Sequence, residues 1–289
     1  MNDLKEQITD IVAAYDPADP KTTADALREA WLQLEAKSIA GIKAEERTKQ
    51  ETVGISVPEL KKIGKVVALA AGKRVDDFVP LTRLLWDDYG REGRVVALIP
   101  LGRMELAAPE TIIPMLYEMC KTCYTWEDAD RLAMDALEQI VRKYPDRWLP
   151  EIEPWLADEN MWVRRSGVTV VGRLPMKHAD YAARCLELAE PLLDHEETEV
   201  KKAVSFAYRL IAKGDTGVIV DFLDRSVPPE NPVATWVLCD TIRSMATKLL
   251  PDFVSLIPNF EEWAADPDLD ARDRKSVESA LKKLRQVKG

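Results

Sequence analysis

The sequence predicts an all-α fold, a solenoid of paired antiparallel helices with a concave surface. Apolar residues recur with the helical period along almost the whole chain, and the alternation typical of strands is nowhere sustained. The chain also repeats itself, because residues 153–165 align without gaps with residues 190–202, 37 positions later. A period in the high thirties with two helices per unit is typical of a HEAT-like α-solenoid.

The individual helices follow from this periodicity and from prolines, which favour helix starts and linkers because they lack an N–H group. Pro100 lies inside one pattern and is expected to kink that helix or to end it. The predicted helices are 22–50, 57–71, 77–87, 91–106, 109–121, 125–143, 147–157, 160–174, 178–193, 197–213, 231–247 and 270–287.

We expect these helices to form one solenoid domain over residues 1–289. Residues 1–53 would be capping helices, residues 54–213 the core repeats, and residues 214–289 further repeats with a C-terminal cap. A stack of this kind needs atypical helices at its ends because an end repeat has a neighbour on one side only.

Composition excludes several classes of protein. The net charge of −10 excludes a strongly basic nucleic-acid coat, although it leaves room for a local basic stripe. There is no Gly-rich phosphate loop, and two histidines and four cysteines are too few for a His-rich metal cluster or a disulfide scaffold. The C-x-x-C formed by Cys120 and Cys123 lies in a helical pattern, so both are predicted to be core thiols.

No apolar run is long enough to span a membrane, and the acidic start is unlike a signal peptide, which predicts a cytoplasmic protein.

Two repeat-related helices carry candidate binding residues. On the helix 160–174, Trp162, Arg165 and Thr169 lie opposite the apolar face, and Lys202, Phe206 and Arg209 do so on the helix 197–213. Rings and cations on one surface suit a phosphate backbone. The alternative is a solvated charged face with its rings packed against the next repeat. The predicted core positions of the two helices are Val163, Gly167, Val170, Val171 and Leu174, and Val200, Ala203, Val204, Ala207 and Ile211.

A second candidate lies on the helix 125–143, where Trp126 and Asp130 are neighbours at i and i+4, at the edge of the core face. A carboxylate beside an indole is suited to a cationic centre. The alternative is a core tryptophan at a helix start with a solvated aspartate. The predicted core positions of this helix are Ala129, Leu132, Ala133, Ala136 and Ile140.

The chain resembles the AlkD-like DNA alkylation repair family, which consists of HEAT-repeat DNA glycosylases. The resemblance extends over residues 54–213 and rests on short blocks in order. These are GISVPE from Gly54, RLLWDDYGRE from Arg83, WEDAD from Trp126, DENMWVRR from Asp158 and KAVSFAYR from Lys202.

The resemblance implies roles for individual residues. Trp126 is similar to the tryptophan that packs against the damaged nucleotide, and Asp130 to the catalytic aspartate. Arg165 and Arg209 resemble the arginines that hold DNA phosphates, and Phe206 stands where glycosylase members have a second tryptophan. The family acts on N3- or N7-alkylated purines in duplex DNA without flipping the base, and it uses no metal or other cofactor.

The sequence therefore predicts a monomeric DNA glycosylase with Asp130 and Trp126 as catalytic residues. Its DNA-binding residues would be Arg165, Arg209, Phe206, Trp162 and Lys202. Its partner would be duplex DNA containing alkylated purines, without membrane or metal. Two alternatives stay open: a non-catalytic DNA-binding relative, favoured by Phe206, and a protein-interaction scaffold, favoured by the net charge of −10.

Overall fold

The computed structural model describes residues 2–36, 49–104 and 109–286, and within them the regular elements are all helical. The predicted all-α class is therefore confirmed. The helices are α1 (Asn2–Ala13), α2 (Pro20–Leu32), α3 (Val57–Ala71), α4 (Val75–Asp88), α5 (Gly90–Met104), α6 (Pro109–Lys121), α7 (Trp126–Leu132), α8 (Glu138–Val141), α9 (Pro145–Ile152), α10 (Met161–Arg173), α11 (Ala182–Ala189), α12 (Thr198–Gly214), α13 (Thr216–Ser226), α14 (Pro232–Arg243), α15 (Ile257–Ala265) and α16 (Ala271–Leu284).

Two of the predicted helices, 57–71 and 109–121, have the observed bounds. The prediction 22–50 was too long, because α2 ends at Leu32; residues 37–48 lie outside the described ranges. Helix α5 continues through Pro100. Of the two predicted effects of this proline, a kink or a helix end, the helix end is therefore wrong. The predictions missed α1, α13 and α15, and they missed the 3-10 helix Thr247–Leu256.

The chain divides into two compact units, Met1–Lys143 and Tyr144–Gly289, which we call the N-terminal and C-terminal units. In the N-terminal unit α3 packs against α1 and α5, and α4 packs against α2 and α5. Helix α5 is central, since it also contacts a π-helical turn, Ala133–Leu137, that joins α7 to α8. The proposal of one solenoid domain over the whole chain stays a prediction.

Four helices of the C-terminal unit pack one against the next, and we call them the even row: α10, α12, α14 and α16. Helices α11 and α13 pack beside them. A ladder of polar contacts joins successive repeats at nearly regular spacing. It consists of Arg184 Nη2 to Glu153 Oε1 at 2.8 Å, Arg225 Nη2 to Glu190 Oε2 at 2.8 Å, and Asn259 Nδ2 to Asp224 Oδ1 at 2.7 Å. The repeat therefore continues beyond residue 213 into the C-terminal helices.

The predicted core faces of α7, α10 and α12 are confirmed, because every apolar position named for them is buried. Helix α10 is enclosed further than expected, since residues 165–172 are all buried. Helix α12, its neighbour in the even row, covers one side, and the segment Glu153–Ala157 covers another. The expected open face on α10 is thus wrong for Arg165 and Thr169, which are 6% and 0% exposed.

Candidate functional site

The first candidate pair begins helix α7. Thr125 caps the helix: its side chain accepts a hydrogen bond from the backbone N–H of Asp128 at 3.3 Å, and Asp128 Oδ2 accepts one from the backbone N–H of Thr125 at 3.3 Å. This reciprocal capping box fixes the start of the helix. Trp126 is the first helical residue and is half-buried, whereas Asp130, one turn later, is 7% exposed.

A buried arginine network holds this helix start. Arg91 on α5 donates two hydrogen bonds to the Glu127 carboxylate, at 2.7 and 3.0 Å, and one to the Ile55 carbonyl at 2.9 Å. Its Nη1 also lies 3.1 Å from Glu92 Oε1. Burial opposes the charge on Arg91, but the contacts with Glu127 and Glu92 together outweigh it, and the pKa of Arg91 is raised. Bidentate pairs of this kind fix geometry as well as charge.

Glu92 connects the same network to the loop before α3. Its carboxylate accepts backbone hydrogen bonds from Val53, Gly54 and Ile55, at 3.0 to 3.3 Å. Gly90 opens α5 with a φ of +60°, and a Cβ there would lie 2.4 Å from the Glu51 carbonyl oxygen. The sequence blocks GISVPE, RLLWDDYGRE and WEDAD are therefore parts of one buried assembly.

A second arginine, Arg94, pairs with the capping residue Asp128 at 3.0 Å. The guanidinium lies between two rings, 4.5 Å from the centroid of Trp86 and 4.6 Å from that of Tyr124. Asp128 also accepts a hydrogen bond from the backbone N–H of Tyr124 at 2.9 Å. The two acids between Trp126 and Asp130 are thus paired with arginines, so Glu127 and Asp128 have structural roles.

The helix that carries Asp130 changes geometry immediately afterwards. The π turn Ala133–Leu137 contains Asp135, which pairs with Lys61 Nζ at 2.5 Å. Gly102 on α5 lets the two backbones meet, because a Cβ there would lie 2.0 Å from the Asp135 carbonyl oxygen. Such π turns are frequent at functional sites. The π turn and the roles of Arg91 and Arg94 were not predicted from the sequence. For the two arginines, the signal that could have indicated burial was the presence of charged residues inside apolar helical patterns.

In the C-terminal unit, Arg165 is buried and already paired. Its Nη1 donates to the Glu199 carbonyl at 2.6 Å and lies 3.2 Å from Glu199 Oε2. The other Glu199 oxygen pairs with Nζ of the exposed Lys202 at 2.8 Å. Arg165 therefore joins α10 to α12, and the cation that this cluster presents to solvent is Lys202.

Arg209 and Phe206 lie together on α12. The guanidinium is 5.6 Å from the Phe206 ring centroid, and its Nη1 lies 3.1 Å from Asp240 Oδ2 and 3.3 Å from Ser205 Oγ. Burial lowers the pKa of Arg209, against the opposite effect of Asp240. Phe206 and Arg209 are both half-buried, as is Trp162 at the start of α10.

The structure therefore groups the predicted residues by unit. Trp126 and Asp130 lie in the N-terminal unit, and the remaining candidates lie on α10 and α12 of the C-terminal unit. In the described ranges no cluster of three His, Cys, Asp or Glu residues could hold a metal ion, and no helix there is long and apolar enough to cross a membrane. Cys120 and Cys123 are buried thiols, as predicted.

Comparison with known proteins supports the resemblance seen in the sequence. A family model described as DNA alkylation repair enzyme matches residues 33–235. AlkD2 from Streptococcus mutans aligns with a TM-score of 0.54 at 17% identity, over 78% of this chain and 99% of that chain. The smu.31 protein from Streptococcus mutans UA159 aligns with a TM-score of 0.50 at 16% identity, over 66% of this chain and 99% of that chain. A search of curated proteins found no match.

At such low identities the two structures show a shared helical-repeat fold and no more. The family model carries the assignment, because it spans well over half of the sequence and contains every candidate site residue from Trp126 to Arg209. The protein belongs to the DNA alkylation repair enzyme family.

Proposed function

We propose that this protein is a DNA glycosylase that excises cationic N3- or N7-alkylated purines from duplex DNA, without flipping the base. The observation that carries the proposal is the Trp126–Asp130 pair on a helix whose start is fixed by Arg91 and Arg94. A catalytic carboxylate works best when its position is set before substrate binds, because no reorganisation is then needed during the reaction.

The chemistry suits an aspartate beside an indole. When the N-glycosidic bond breaks, its electron pair leaves with the base, which becomes neutral, and positive charge develops on the deoxyribose. The Asp130 carboxylate stabilises that charge and positions a water molecule, and the face of Trp126 adds a cation–π contact. The water oxygen bonds to the sugar carbon, and its proton passes to solvent. Alkylation has already made the base a good leaving group, so neither a metal nor a cofactor is required.

The C-terminal unit would hold the DNA backbone. Lys202 is exposed, and Phe206 and Arg209 offer a ring and a guanidinium side by side. Trp162 is half-buried at the start of α10. Arg165 would reach a phosphate only by exchanging the Glu199 carboxylate for it. We propose that the protein works as a monomer in the cytoplasm, associated with the nucleoid.

A non-catalytic DNA-binding protein is the second candidate function. Two observations favour it: Asp130 is only 7% exposed, and a phenylalanine occupies position 206, where glycosylases of the family have a tryptophan. A smaller ring offers less stacking area to a nucleotide. This candidate shares the DNA interface with the first, so a measurement of base release separates the two.

Release of 7-methylguanine and 3-methyladenine from methylated duplex DNA tests the proposal. We expect release by the wild type and a loss of about 10²–10³-fold in Asp130→Asn, the range for removing one well-placed electrostatic group. Asp87→Asn, which changes an exposed aspartate on α4, is the matched control and should release bases at the wild-type rate. A folded wild type that binds DNA without releasing either base would establish the non-catalytic function. Absence of DNA binding at low salt would reject both.

A further inference from the structure

A cleft of about 600 Å³ lies in the C-terminal unit, and most of its lining residues come after residue 235, where the family match ends. It is bounded by residues of α12, α14 and α16. Four of its side chains are cationic and two are acidic: Lys201, Arg243, Arg272 and Lys275, and Asp270 and Asp273. The excess of positive charge is notable on a chain whose net charge is −10.

The cations of the cleft differ from those predicted from sequence, because three of them form no ion pair within 4 Å, although Arg272 interacts electrostatically with Asp270 and Asp273. Among the described residues Lys201, Arg272 and Lys275 form no salt bridge, and Arg272 and Lys275 are exposed. Asp270 is the N-cap of α16, where its carboxylate accepts backbone hydrogen bonds from Arg272 at 2.7 Å and Asp273 at 2.9 Å. That carboxylate is thus turned towards the helix end. The second acid, Asp273, interacts electrostatically with Arg272, so Lys201 and Lys275 are the cations of the cleft that are most available to an anion.

An aromatic face accompanies these cations. Trp236 is half-buried in the cleft lining, and Nζ of Lys201 lies 5.3 Å from its ring centroid. Proteins that bind single strands combine cations that hold phosphates with aromatic rings that stack on bases, and on a duplex a ring in the same position would contact a deoxyribose.

Polar contacts along the even row also connect Arg209 to the cleft. Asp240 holds both Arg209, at 3.1 Å, and Arg243, at 3.4 Å. Arg243 in turn donates to Ser276 Oγ on α16 at 2.8 Å. Arg165, Arg209 and Arg243 thus each reach forward to the next helix of the row, and the third of them lies in the cleft lining.

We propose that this cleft is a second phosphate-binding site for DNA, which extends the interface of α10 and α12 by one repeat into the C-terminal helices. Lys201, Arg272 and Lys275 bind the backbone phosphates, and Trp236 packs against the adjoining nucleotide. This inference rests on the proposed DNA-binding function and adds to it a site outside the matched family region.

Charge reversal tests the site in the full-length protein. The double variant Lys201→Glu/Lys275→Glu should lower the affinity for a 20-base-pair duplex about tenfold or more at low salt. It should also reduce the salt slope by about two, because each lost phosphate contact removes about one. The matched control is Lys248→Glu/Lys282→Glu, which makes the same charge change at two exposed lysines outside the cleft, one of them on α16. It should keep the wild-type slope.

A crosslinking measurement gives a second readout. The four native cysteines are buried, so a cysteine introduced at Ser279, which is exposed in the cleft lining, can be labelled selectively with a photoreactive group. Ser279→Cys should crosslink to the duplex, and Ser255→Cys, at an exposed serine outside the cleft, should not.

The outcomes separate the two proposals. If the wild type binds DNA but both double variants have equal affinities and slopes, and Ser279→Cys gives no crosslink, the cleft is not a DNA site and the proposed function is untouched. If the cleft binds inorganic phosphate or a free nucleotide while the duplex neither competes nor crosslinks, the inference is likewise overturned. If the wild type does not bind duplex DNA at all, the proposed function fails and the inference fails with it.

Discussion

The candidate sites of the two units use their charged residues in opposite ways. At the start of α7 in the N-terminal unit, Arg91 and Arg94 are 3% and 4% exposed, and their carboxylate partners are buried with them. In the even row of the C-terminal unit, Lys202 and the cleft lysine Lys275 are exposed, and Arg209 is half-buried. Charge therefore fixes geometry at the start of α7, whereas along the even row it is offered to solvent.

This difference suits a division of labour. A group that stabilises a transition state must be held in place in advance, whereas cations that bind a phosphate backbone must be accessible and gain from being adjustable. Arg165 is the exception, since it lies in the C-terminal unit but is buried like the arginines of the N-terminal unit. Substitution of single charges shows whether each belongs to the class in which its burial places it.

Arg91→Ala should have the largest effect on stability. It removes the two short hydrogen bonds to the buried carboxylate of Glu127 and the guanidinium beside that of Glu92, and breaking a buried ion pair from one side typically costs about 3–5 kcal/mol. Urea unfolding measures the free energy. Arg83→Ala removes an arginine that is half-buried at the surface and pairs with the exposed Asp87. It is the control and should change the free energy of unfolding little. Equal effects of the two variants would show that the buried network does not stabilise the unit.

Arg165→Ala should have the second largest effect. It should lower the free energy of unfolding by about 1.5–3 kcal/mol, because the charge-assisted hydrogen bonds to Glu199 disappear. Lys202→Ala removes the other partner of the same carboxylate at an exposed position, so its unfolding free energy should stay close to that of the wild type. The two variants, compared by urea unfolding, assign Arg165 to the structural class. A stable Arg165→Ala protein with weakened DNA binding would instead return it to the phosphate-binding class.

Gly102→Ala should destabilise the N-terminal unit by about 1–3 kcal/mol, since the added methyl group must displace the π turn at Asp135. The control is Gly217→Ala on α13, where the nearest atom to an added Cβ is the Asp215 carboxylate oxygen at 3.2 Å. That substitution should be neutral or slightly stabilising, as removal of a helical glycine usually is. Thermal unfolding of both variants decides whether the close approach is required.

The smallest effect concerns pH. Burial and the guanidinium of Arg164, 2.5 Å away, lower the pKa of His195 below its ordinary value of 6.5. The unfolded chain therefore takes up this proton first, and the histidine makes stability fall slightly as the pH drops below about 6.5. His195→Gln should lack this contribution. Urea midpoints at pH 7.5 and 5.5 test it; a variant with the same pH dependence as the wild type would contradict it.

The sequence was sufficient for the fold class and for most of the helices, because apolar periodicity reports the buried face directly. It was weakest where that face is sparse. Helix α1 has only two fully buried apolar residues, Ile8 and Val12, and so it was missed. The repeat Glu153–Arg165 was recognised because its turn and helix start recur 37 positions later. The last contact of the polar ladder changes its residue types, from Arg and Glu to Asn259 and Asp224.

The site was predictable in part. The spacing of Trp126 and Asp130 on one helix follows from helical geometry alone. The burial of Arg165 does not, because a charged residue opposite an apolar face is expected to be solvated, and the partner that buries it lies 34 positions away. The pairing of Arg91 with Glu127, 36 positions apart, was hidden for the same reason.

The most direct test of the division of labour is a crossed measurement of two variants on methylated duplex DNA, with binding affinity and single-turnover release of 7-methylguanine recorded for each. Asp130→Asn should keep the wild-type affinity and salt slope while its release rate falls about 10²–10³-fold. Arg209→Ala should bind more weakly, with a shallower slope, yet release the base at nearly the wild-type rate once the DNA is saturated with protein. Wild-type release by Asp130→Asn would contradict the account.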